Sequence, residues 1–139
     1  MRQDPVHNPE TVRVVPKMVK LKLRSSQWIV DEHNNIILGK GRMEILENIE
    51  KTGSMNQAAK KMKMSYKAVW SKIKATEKNL NAKIVHADRK NGTRLSREGK
   101  ELMKKYKLLI KECMSSDDKI FDSIFSKKDN HTLIETKLD

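Results

Sequence analysis

Two patterns of apolar residues near the start of the chain are typical of β-structure. In residues 17–25, KMVKLKLRS, apolar side chains alternate with lysines, which predicts a strand with one buried face. Two short apolar runs, 28–30 and 36–38, then flank the polar segment DEHNN. They predict a β-hairpin, because Asn34 and Asn35 readily adopt the left-handed backbone geometry of a tight turn.

From residue 42 to Gly53 the apolar spacing changes to that of a helix. Its buried face is predicted to consist of Met43, Ile45, Leu46 and Ile49. Gly53 is predicted to end this helix, since glycine takes the left-handed geometry of a helix C-cap without steric cost. Ser54 and Gln57 then have the spacing of a capping box, which predicts that a second helix begins directly after Ser54.

The third predicted helix runs from its N-cap, Ser65, to about Leu80. Its buried face is predicted to consist of Val69, Ile73, Thr76 and Leu80. For Trp70, burial is favoured over contact with a ligand. Ala58 and Ala59 are small enough for the second and third helices to cross closely. A short helix, a brief break and a freshly capped helix form the plan of a helix-turn-helix, although an ordinary αα-hairpin has the same plan.

A second hairpin is predicted after the third helix. Ile84 and Val85 form a short apolar run, Asn91 and Gly92 are a strong two-residue turn signal, and residues 93–95 return as the partner strand. A hairpin in this position is the wing of a winged-helix domain.

Ser96 is predicted to cap a long helix whose apolar stripe recurs every three or four residues up to Phe125. The segment SSDD, residues 115–118, either kinks this helix or starts another. Cys113 lies in the stripe, where a buried thiol is the default. The helix is longer than one small domain needs, so the stripe is either a dimer seam or packs within the monomer, and both interpretations stay open for its first half.

The predicted fold is α+β and mainly helical, a winged helix-turn-helix with an N-terminal β-hairpin and a long C-terminal dimerisation helix. We expect an irregular lead over residues 1–17 and the winged helix-turn-helix with its N-terminal β-strands over 18–96. A long helical dimerisation region over 97–126 and a disordered tail over 127–139 follow.

Positive charge is concentrated in one segment of the chain. The formal net charge is +12, and residues 54–97 hold twelve Lys or Arg against two acids, Glu77 and Asp88. Solubility does not need such a concentration of charge. An anionic polymer, such as the phosphate backbone of a nucleic acid, is therefore the expected partner.

Other classes of function find little support in the sequence. No Ser-His-Asp or Cys-His arrangement and no glycine-rich phosphate loop is recognisable, so we do not expect an enzyme. The four histidines lack the spacing of metal ligands, and we expect no cofactor. A single cysteine excludes an internal disulfide. No apolar run approaches the ~20 residues of a membrane span, and the N-terminus lacks the apolar core of a signal peptide, so we expect no membrane partner and a cytoplasmic protein.

The stretch LGKGRMEILENIEKTGSMNQAAKKMKMSYKAVWSKI resembles the DNA-binding domain of the molybdate-responsive ModE-type regulators. The likeness rests on LGKGR, on TGS between the first two helices, on AA in the second, on MSYKAVW at the start of the third, and on the later RLSREGKEL. The last element also resembles the LysR-type regulators, but the upstream strand and the Trp-containing hairpin fit the ModE type better.

This resemblance covers residues 19–112 and implies a winged-helix, DNA-binding, dimeric regulator. In the ModE-type family the molybdate site lies in C-terminal domains that have no counterpart in this sequence. We therefore expect no molybdate site in this chain.

If the third helix is the recognition helix, its first turns enter the major groove of double-stranded DNA. Lys67 is the first candidate for a base edge, since lysine donates to guanine O6 and N7. Wing cations would follow the backbone or the minor groove, and Ser54 and Ser65 would bring helix amides to phosphates besides capping their helices. The residues expected to face DNA are Ser54, Ser65, Tyr66, Lys67, Ser71, Lys74, Arg89, Lys90 and Arg94.

A sequence-specific transcriptional regulator that acts as a homodimer is the favoured interpretation. The alternative is a non-specific architectural, chromatin-like DNA-binding protein, because residues 54–83 are rich in lysine, a less discriminating point charge than arginine. A winged helix that binds another protein is a third possibility.

Overall fold

The computed structural model describes residues 19–125, which form four helices and two small antiparallel sheets. The winged helix-turn-helix with an N-terminal hairpin and a long C-terminal helix is confirmed as the fold. The predicted lead over 1–17 and tail over 127–139 lie outside the described residues. In chain order the elements are β1 (Ile29–Val30), β2 (Ile36–Leu38), α1 (Lys40–Thr52), α2 (Met55–Lys61), α3 (Tyr66–Leu80), β3 (Val85–Asp88), β4 (Gly92–Leu95) and α4 (Arg97–Ile124).

The chain divides into two compact units, one of which is Ser26–Lys111. Of the described residues, 19–25 and 112–125 belong to the other unit. In this second unit the hydroxyl of Ser25 donates a hydrogen bond of 2.8 Å to the carboxylate of Asp117. The rings of Phe121 and Phe125 stack there with their centroids 4.9 Å apart.

The strand predicted over residues 17–25 is wrong in its described part. Residues 19–28 contain no strand, and Val19, Leu21 and Leu23 are between 43% and 51% exposed. Alternation indicates one apolar face, but a strand also needs a neighbouring strand for its backbone hydrogen bonds and a core for that face.

The predicted N-terminal hairpin is present, with Ile29 opposite Leu38 and a bulge next to this pair. Asn34 adopts the expected left-handed geometry, with φ at 69°. The carboxylate of Asp31 accepts hydrogen bonds from the amides of Asn35, at 2.9 Å, and His33, at 2.8 Å. These bonds, the one from Asn35 above all, lower the pKa of Asp31.

The core of the Ser26–Lys111 unit lies where β2, the helices and the base of the wing meet. Full burial of such side chains contributes about 1.5–3 kcal/mol each. All four residues predicted for the buried face of α1 are buried. The largest fully buried side chains are Leu38, Ile45, Ile49, Val69 and Ile84.

The corner between α2 and α3 is a Schellman motif. Ala58 and Ala59 are fully buried, as a close helix crossing requires. The Met64 amide donates to the Ala59 carbonyl at 3.0 Å, and the Lys63 amide to that of Lys60 at 3.1 Å. Lys63 takes the left-handed position of this motif, with φ at 54°. These bonds fix the short turn of the helix-turn-helix.

The wing is a four-residue antiparallel ladder with a loop of three residues, Arg89, Lys90 and Asn91. The predicted two-residue turn at Asn91 and Gly92 is therefore wrong, because Gly92 already belongs to β4. Its left-handed geometry, with φ at 75°, closes the longer loop instead. The carboxylate of Asp88 accepts from the Lys90 amide at 2.8 Å, which stabilises this loop.

The helix α4 is continuous through residues 115–118, so no second helix starts there. Ser96 caps it, accepting from the Gly99 amide at 2.9 Å and donating to the Lys83 carbonyl at 2.6 Å. Tyr106 is buried and donates to the Gln27 carbonyl at 2.8 Å, and burial raises its pKa. Leu102, Met103 and Ile110 also pack against the core, whereas Leu109 is 39% exposed, so most of the first half of the apolar stripe packs within the monomer.

Among residues 19–125, no helix combines the length and the apolar character that crossing a membrane requires. Over the same residues, no three His, Cys, Asp or Glu side chains are grouped so that they could hold a metal ion.

Candidate nucleic-acid interface

The outer face of α3 is a row of exposed polar side chains. Val69, Ile73 and Thr76 are buried, as predicted, and fix which side of the helix faces the core. Because a helix turns about 100° per residue, residues on the opposite side recur three or four positions apart. The row on that side is Lys67, Ser71, Lys74 and Lys78, all exposed. Three cations and one hydroxyl on one exposed helix face suit a polyanion.

Sequence reasoning did not include Lys78 among the candidate residues. Its position four residues after Lys74 places it in the same row. The periodicity that selected Lys67, Ser71 and Lys74 was therefore a sufficient signal.

Leu80 is the residue of α3 that departs from the predicted burial. Leu80 is 37% exposed rather than buried, because α3 ends there and the left-handed Asn81 turns the chain away. Trp70 is half-buried and packs against the core, which agrees with the favoured interpretation of this residue. Tyr66, in the first turn, is 48% exposed, so its hydroxyl and ring are accessible.

Ser54 and Ser65 both act as N-caps. Ser65 accepts from the Ala68 amide at 3.0 Å. Ser54 accepts from the Gln57 amide at 3.2 Å, while its own amide donates to the hydroxyl of Thr52 at 3.2 Å. The bond from the Gln57 amide to the Ser54 hydroxyl is thus made as the predicted capping box requires. In the other half of the box, the Ser54 amide bonds Thr52 instead of the Gln57 side chain. Contact of either serine with phosphate stays a prediction.

Lys74 is held by two intramolecular partners, although it lies on the outer row of α3. Its ammonium is 3.2 Å from a carboxylate oxygen of Glu77 and 4.5 Å from the ring centroid of Trp70. The side chain of Lys74 still keeps 45% of its surface exposed. Its position is thus restricted while its charge remains accessible to an anion.

Glu77 connects α3 to the first strand of the wing. Its side chain is only 12% exposed, and one oxygen accepts from the amides of Ile84, at 2.8 Å, and Val85, at 3.2 Å. Burial by itself raises the pKa of this carboxyl, but the two amides and Lys74 outweigh it, so the pKa is lowered. Glu77 is therefore an anion inside the most basic segment of the chain.

Arg42 connects α1 to β2 and α3. Its guanidinium donates to the Ile36 carbonyl at 2.7 Å and to the hydroxyl of Thr76 at 3.0 Å, and burial lowers its pKa. Thr76 in turn donates to the Ile37 carbonyl at 2.7 Å, and Asn79 donates to Ile36 at 3.1 Å. This network fixes α3 against the hairpin. In the sequence Arg42 stood out only through the motif LGKGR.

The three candidate residues of the wing are all exposed. Arg89 and Lys90 occupy the loop at its tip, and Arg94 lies in β4 directly opposite His86. The buried face of the wing contains Val85 and Leu95 instead. Arg94 and His86 therefore share the outer face of the wing.

The wing is joined to α3 and to the corner between α1 and α2. Glu77 binds the start of β3 from α3, and the Thr93 amide of β4 donates to the Gly53 carbonyl, between α1 and α2, at 2.9 Å. All nine candidate residues belong to the Ser26–Lys111 unit. Eight are exposed and Ser54 is half-buried.

A family model matches the part of the chain that contains the candidate site. The model described as bacterial regulatory helix-turn-helix protein, LysR family, matches residues 41–100. These residues are therefore similar to the helix-turn-helix domain of LysR-type regulators. The match covers α1, α2, α3, the wing and the first residues of α4.

Known proteins similar to this chain include both curated sequences and solved structures. The molybdenum transport protein ModE of Azotobacter vinelandii is 31% identical over 87 residues, which are 60% of this chain and 32% of that protein. The chain thus spans about a third of the length of this relative, and the expected resemblance to ModE-type regulators is confirmed at this level.

The crystal structure of the CbnR DNA-binding domain in complex with DNA is similar in fold to this chain, with a TM-score of 0.51 and 16% identity. The similarity covers 61% of this chain and 97% of that one. CbnR itself, a LysR family transcriptional regulator, has a TM-score of 0.49 and 17% identity, over 59% of this chain and 28% of that one.

Proposed function

We propose that the protein is a sequence-specific double-stranded DNA-binding transcriptional regulator that acts as a homodimer. In this proposal α3 enters the major groove, and the wing lies on the backbone or in the minor groove. The single observation that carries it is the exposed row of Lys67, Ser71, Lys74 and Lys78 on a LysR-type recognition helix.

Base recognition is assigned to the first turns of α3. Lys67 and Tyr66 are exposed and unobstructed among the described residues, and lysine reads guanine O6 and N7 while tyrosine contacts a phosphate or a thymine methyl. Ser71 follows one turn later and donates to a base or a phosphate. Lys74 is restricted by Glu77 and Trp70, so it contributes charge at a fixed position rather than an adaptable base contact.

The wing supplies contacts that position the protein without reading sequence. Arg89 and Lys90 at the tip and Arg94 on the outer face are exposed cations beside the recognition helix. Phosphate contacts of this kind fix register and orientation, and they raise affinity for all DNA alike. The similar CbnR domain is bound to DNA in its crystal structure, and this supports the same class of partner here.

The homodimer rests on the second half of α4. There Ile120 and Ile124 are 55% and 54% exposed, on an amphipathic helix in which they recur four residues apart. Two copies that cover these side chains would remove apolar surface from water. A two-fold dimer would place its two recognition helices about one DNA turn, ~34–36 Å, or a multiple of it apart.

Selection of bound sequences from a random DNA pool tests the proposal. We expect a pseudo-palindromic site whose half-sites are separated by about one helical turn or a multiple of it. Recovery of single, asymmetric sites would contradict the two-fold dimer. Competition with random DNA separates a sequence-specific regulator from an architectural protein, since the latter would bind both pools with equal affinity.

A further inference from the structure

We infer that Glu77 is a positioning residue, which holds the wing at a fixed orientation on the recognition helix and thereby delivers the tip cation Arg89 to DNA. This inference rests on the proposed function and deepens it. Glu77 itself touches no DNA in this account, because its side chain is 12% exposed and its oxygens are occupied within the protein.

The carboxylate of Glu77 bonds two different elements of the fold. One oxygen accepts from two successive amides at the start of the wing, Ile84 and Val85, and the other pairs with Lys74 on the outer row of α3. Hydrogen bonds to an ionised acceptor are shorter and stronger than neutral ones, and here little water competes for them. The carboxylate therefore links the recognition helix to the wing directly.

This link lies at the base of the wing. Val85 pairs with Leu95 at the base of the ladder, and Asp88 pairs with Gly92 at its tip. Three residue steps along a strand span roughly 10 Å. A change of about 10° at the base would consequently move the loop by about 2 Å, a displacement that breaks a hydrogen bond to phosphate.

The wing has a second link, on its other strand. The Thr93 amide donates to the Gly53 carbonyl at 2.9 Å and holds β4 against the corner between α1 and α2. Val85 and Leu95 also anchor the base of the wing in the core. Glu77 adds a charge-assisted link from α3 itself, so its loss would leave a folded, anchored wing whose tip is held less tightly relative to α3.

A double-mutant cycle between Glu77→Ala and Arg89→Ala tests the inference. We expect Arg89→Ala to weaken binding of the selected DNA site about fivefold in the unaltered protein. In Glu77→Ala the same change should cost less than twofold, because the wing tip no longer reaches the phosphate backbone of the DNA. Lys67→Ala should cost the same factor in both backgrounds. Hydroxyl-radical footprinting of the DNA sugars should lose the protection next to the recognition site in Glu77→Ala. Protection of guanine N7 in the major groove from dimethyl sulfate should persist.

Two further variants separate positioning from loss of stability. Ile45→Val removes a methylene from the buried core without altering Glu77 or the amides that bind it, and it should change neither the footprint nor the cost of Arg89→Ala. Glu77→Gln keeps an acceptor for the two amides but loses the charge. Arg89→Ala should therefore cost more affinity in Glu77→Gln than in Glu77→Ala. If Glu77→Ala does not fold, the same cycle in Glu77→Gln gives the answer, with a smaller coupling of the same sign.

The outcomes are distinct. Full additivity of Arg89→Ala with both Glu77 variants, together with an unchanged footprint, would overturn the inference while the proposed function stands. Absence of any site-specific protection by the unaltered protein would overturn the proposed function and this inference with it. Coupling of Glu77 to Lys67 as strong as to Arg89 would also overturn it, because Glu77 would then act on the whole domain.

Discussion

The carbonyl oxygen of Gly53 accepts a hydrogen bond of 2.9 Å from the amide of Thr93, which joins the end of α1 to the second strand of the wing. The residue before Thr93 is Gly92, and a Cβ atom added there would lie 2.5 Å from the same carbonyl oxygen. Gly92 also has a φ of 75°. A glycine is therefore required at this contact for two independent reasons.

Gly92→Ala is expected to destabilise the domain by about 2 kcal/mol or more, because the methyl group collides with backbone and the left-handed geometry disfavours a side chain. Urea unfolding followed by circular dichroism measures this. Gly41→Ala is the matched control, since nothing lies within 4 Å of a Cβ at that position in α1. It should be neutral or stabilise by up to ~1 kcal/mol. Equal stability of the two variants would contradict the contact.

Lys67→Ala is expected to weaken a selected DNA site by about tenfold or more and random DNA by much less, because a lost base contact costs discrimination of about 1–3 kcal/mol. Arg94→Ala should weaken both kinds of DNA alike, since phosphate contacts carry no sequence information. Fluorescence anisotropy with both duplexes measures the two ratios. Lys104→Ala, an exposed lysine of α4, serves as the control and should change neither. Parallel losses from Lys67→Ala and Arg94→Ala would remove the reading role of α3.

The affinity for DNA is expected to fall steeply with salt. If roughly six to ten phosphates are neutralised per complex, a rise from about 50 to 200 mM salt should cost on the order of a thousandfold. Binding titrations at several salt concentrations give the slope of log K against log salt. Arg94→Ala should make this slope shallower by about one. A flat response in the unaltered protein would contradict the electrostatic account.

Acid is expected to destabilise the unaltered protein more than Glu77→Gln. The pKa of Glu77 is lowered in the fold from its usual 4.5, so its ionised form contributes stability above that value. This contribution is lost as the pH falls through the lowered pKa. Urea midpoints measured from about pH 6 down to about pH 3 should therefore decline less in Glu77→Gln.

The exposed carboxylates of Asp31 and Asp88, whose pKa values are also lowered, remain in both proteins and give a shared acid dependence. Ile45→Val, which changes no ionisable group, should follow the curve of the unaltered protein at lower midpoints. Parallel curves for the unaltered protein and Glu77→Gln would contradict the account of the buried carboxylate.

Ile120→Glu is expected to convert the proposed dimer to monomers, because a charge would be placed in an apolar seam that excludes water. Sedimentation velocity at several concentrations measures the change. Ser115→Glu introduces the same charge on the same helix, five residues and hence about 140° away, and should leave the dimer intact. A monomeric unaltered protein, or equal effects of the two variants, would contradict the seam on α4.

Much of the fold was readable from residues that lie close together in the sequence. Serine caps at Ser54, Ser65 and Ser96, the stop at Gly53 and the helical spacing of apolar residues are interactions within four or five positions, and the structure contains each of them. Candidate DNA contacts on α3 followed from the same periodicity, since the buried residues define the opposite face.

Residues that act across long sequence distances were not predictable in this way. The interpretation of residues 17–25 as a strand was wrong because alternation does not supply a pairing partner. Neither spacing nor composition indicated that Arg42 bonds Thr76. In the sequence Glu77 appeared only as one of two acids in a basic segment, whereas in the structure its carboxylate accepts a hydrogen bond from the Ile84 amide at the start of the wing.

The sequence alone therefore determined the helices, their caps and the positively charged segment, because local backbone preferences and charge are properties of nearby residues. Tertiary structure alone decided how the wing is attached, through Glu77 to α3 and through Gly53 to Thr93, because those partners meet only when the core has packed. It also decided which apolar residues stay exposed, since burial depends on whether a second surface is present to cover them.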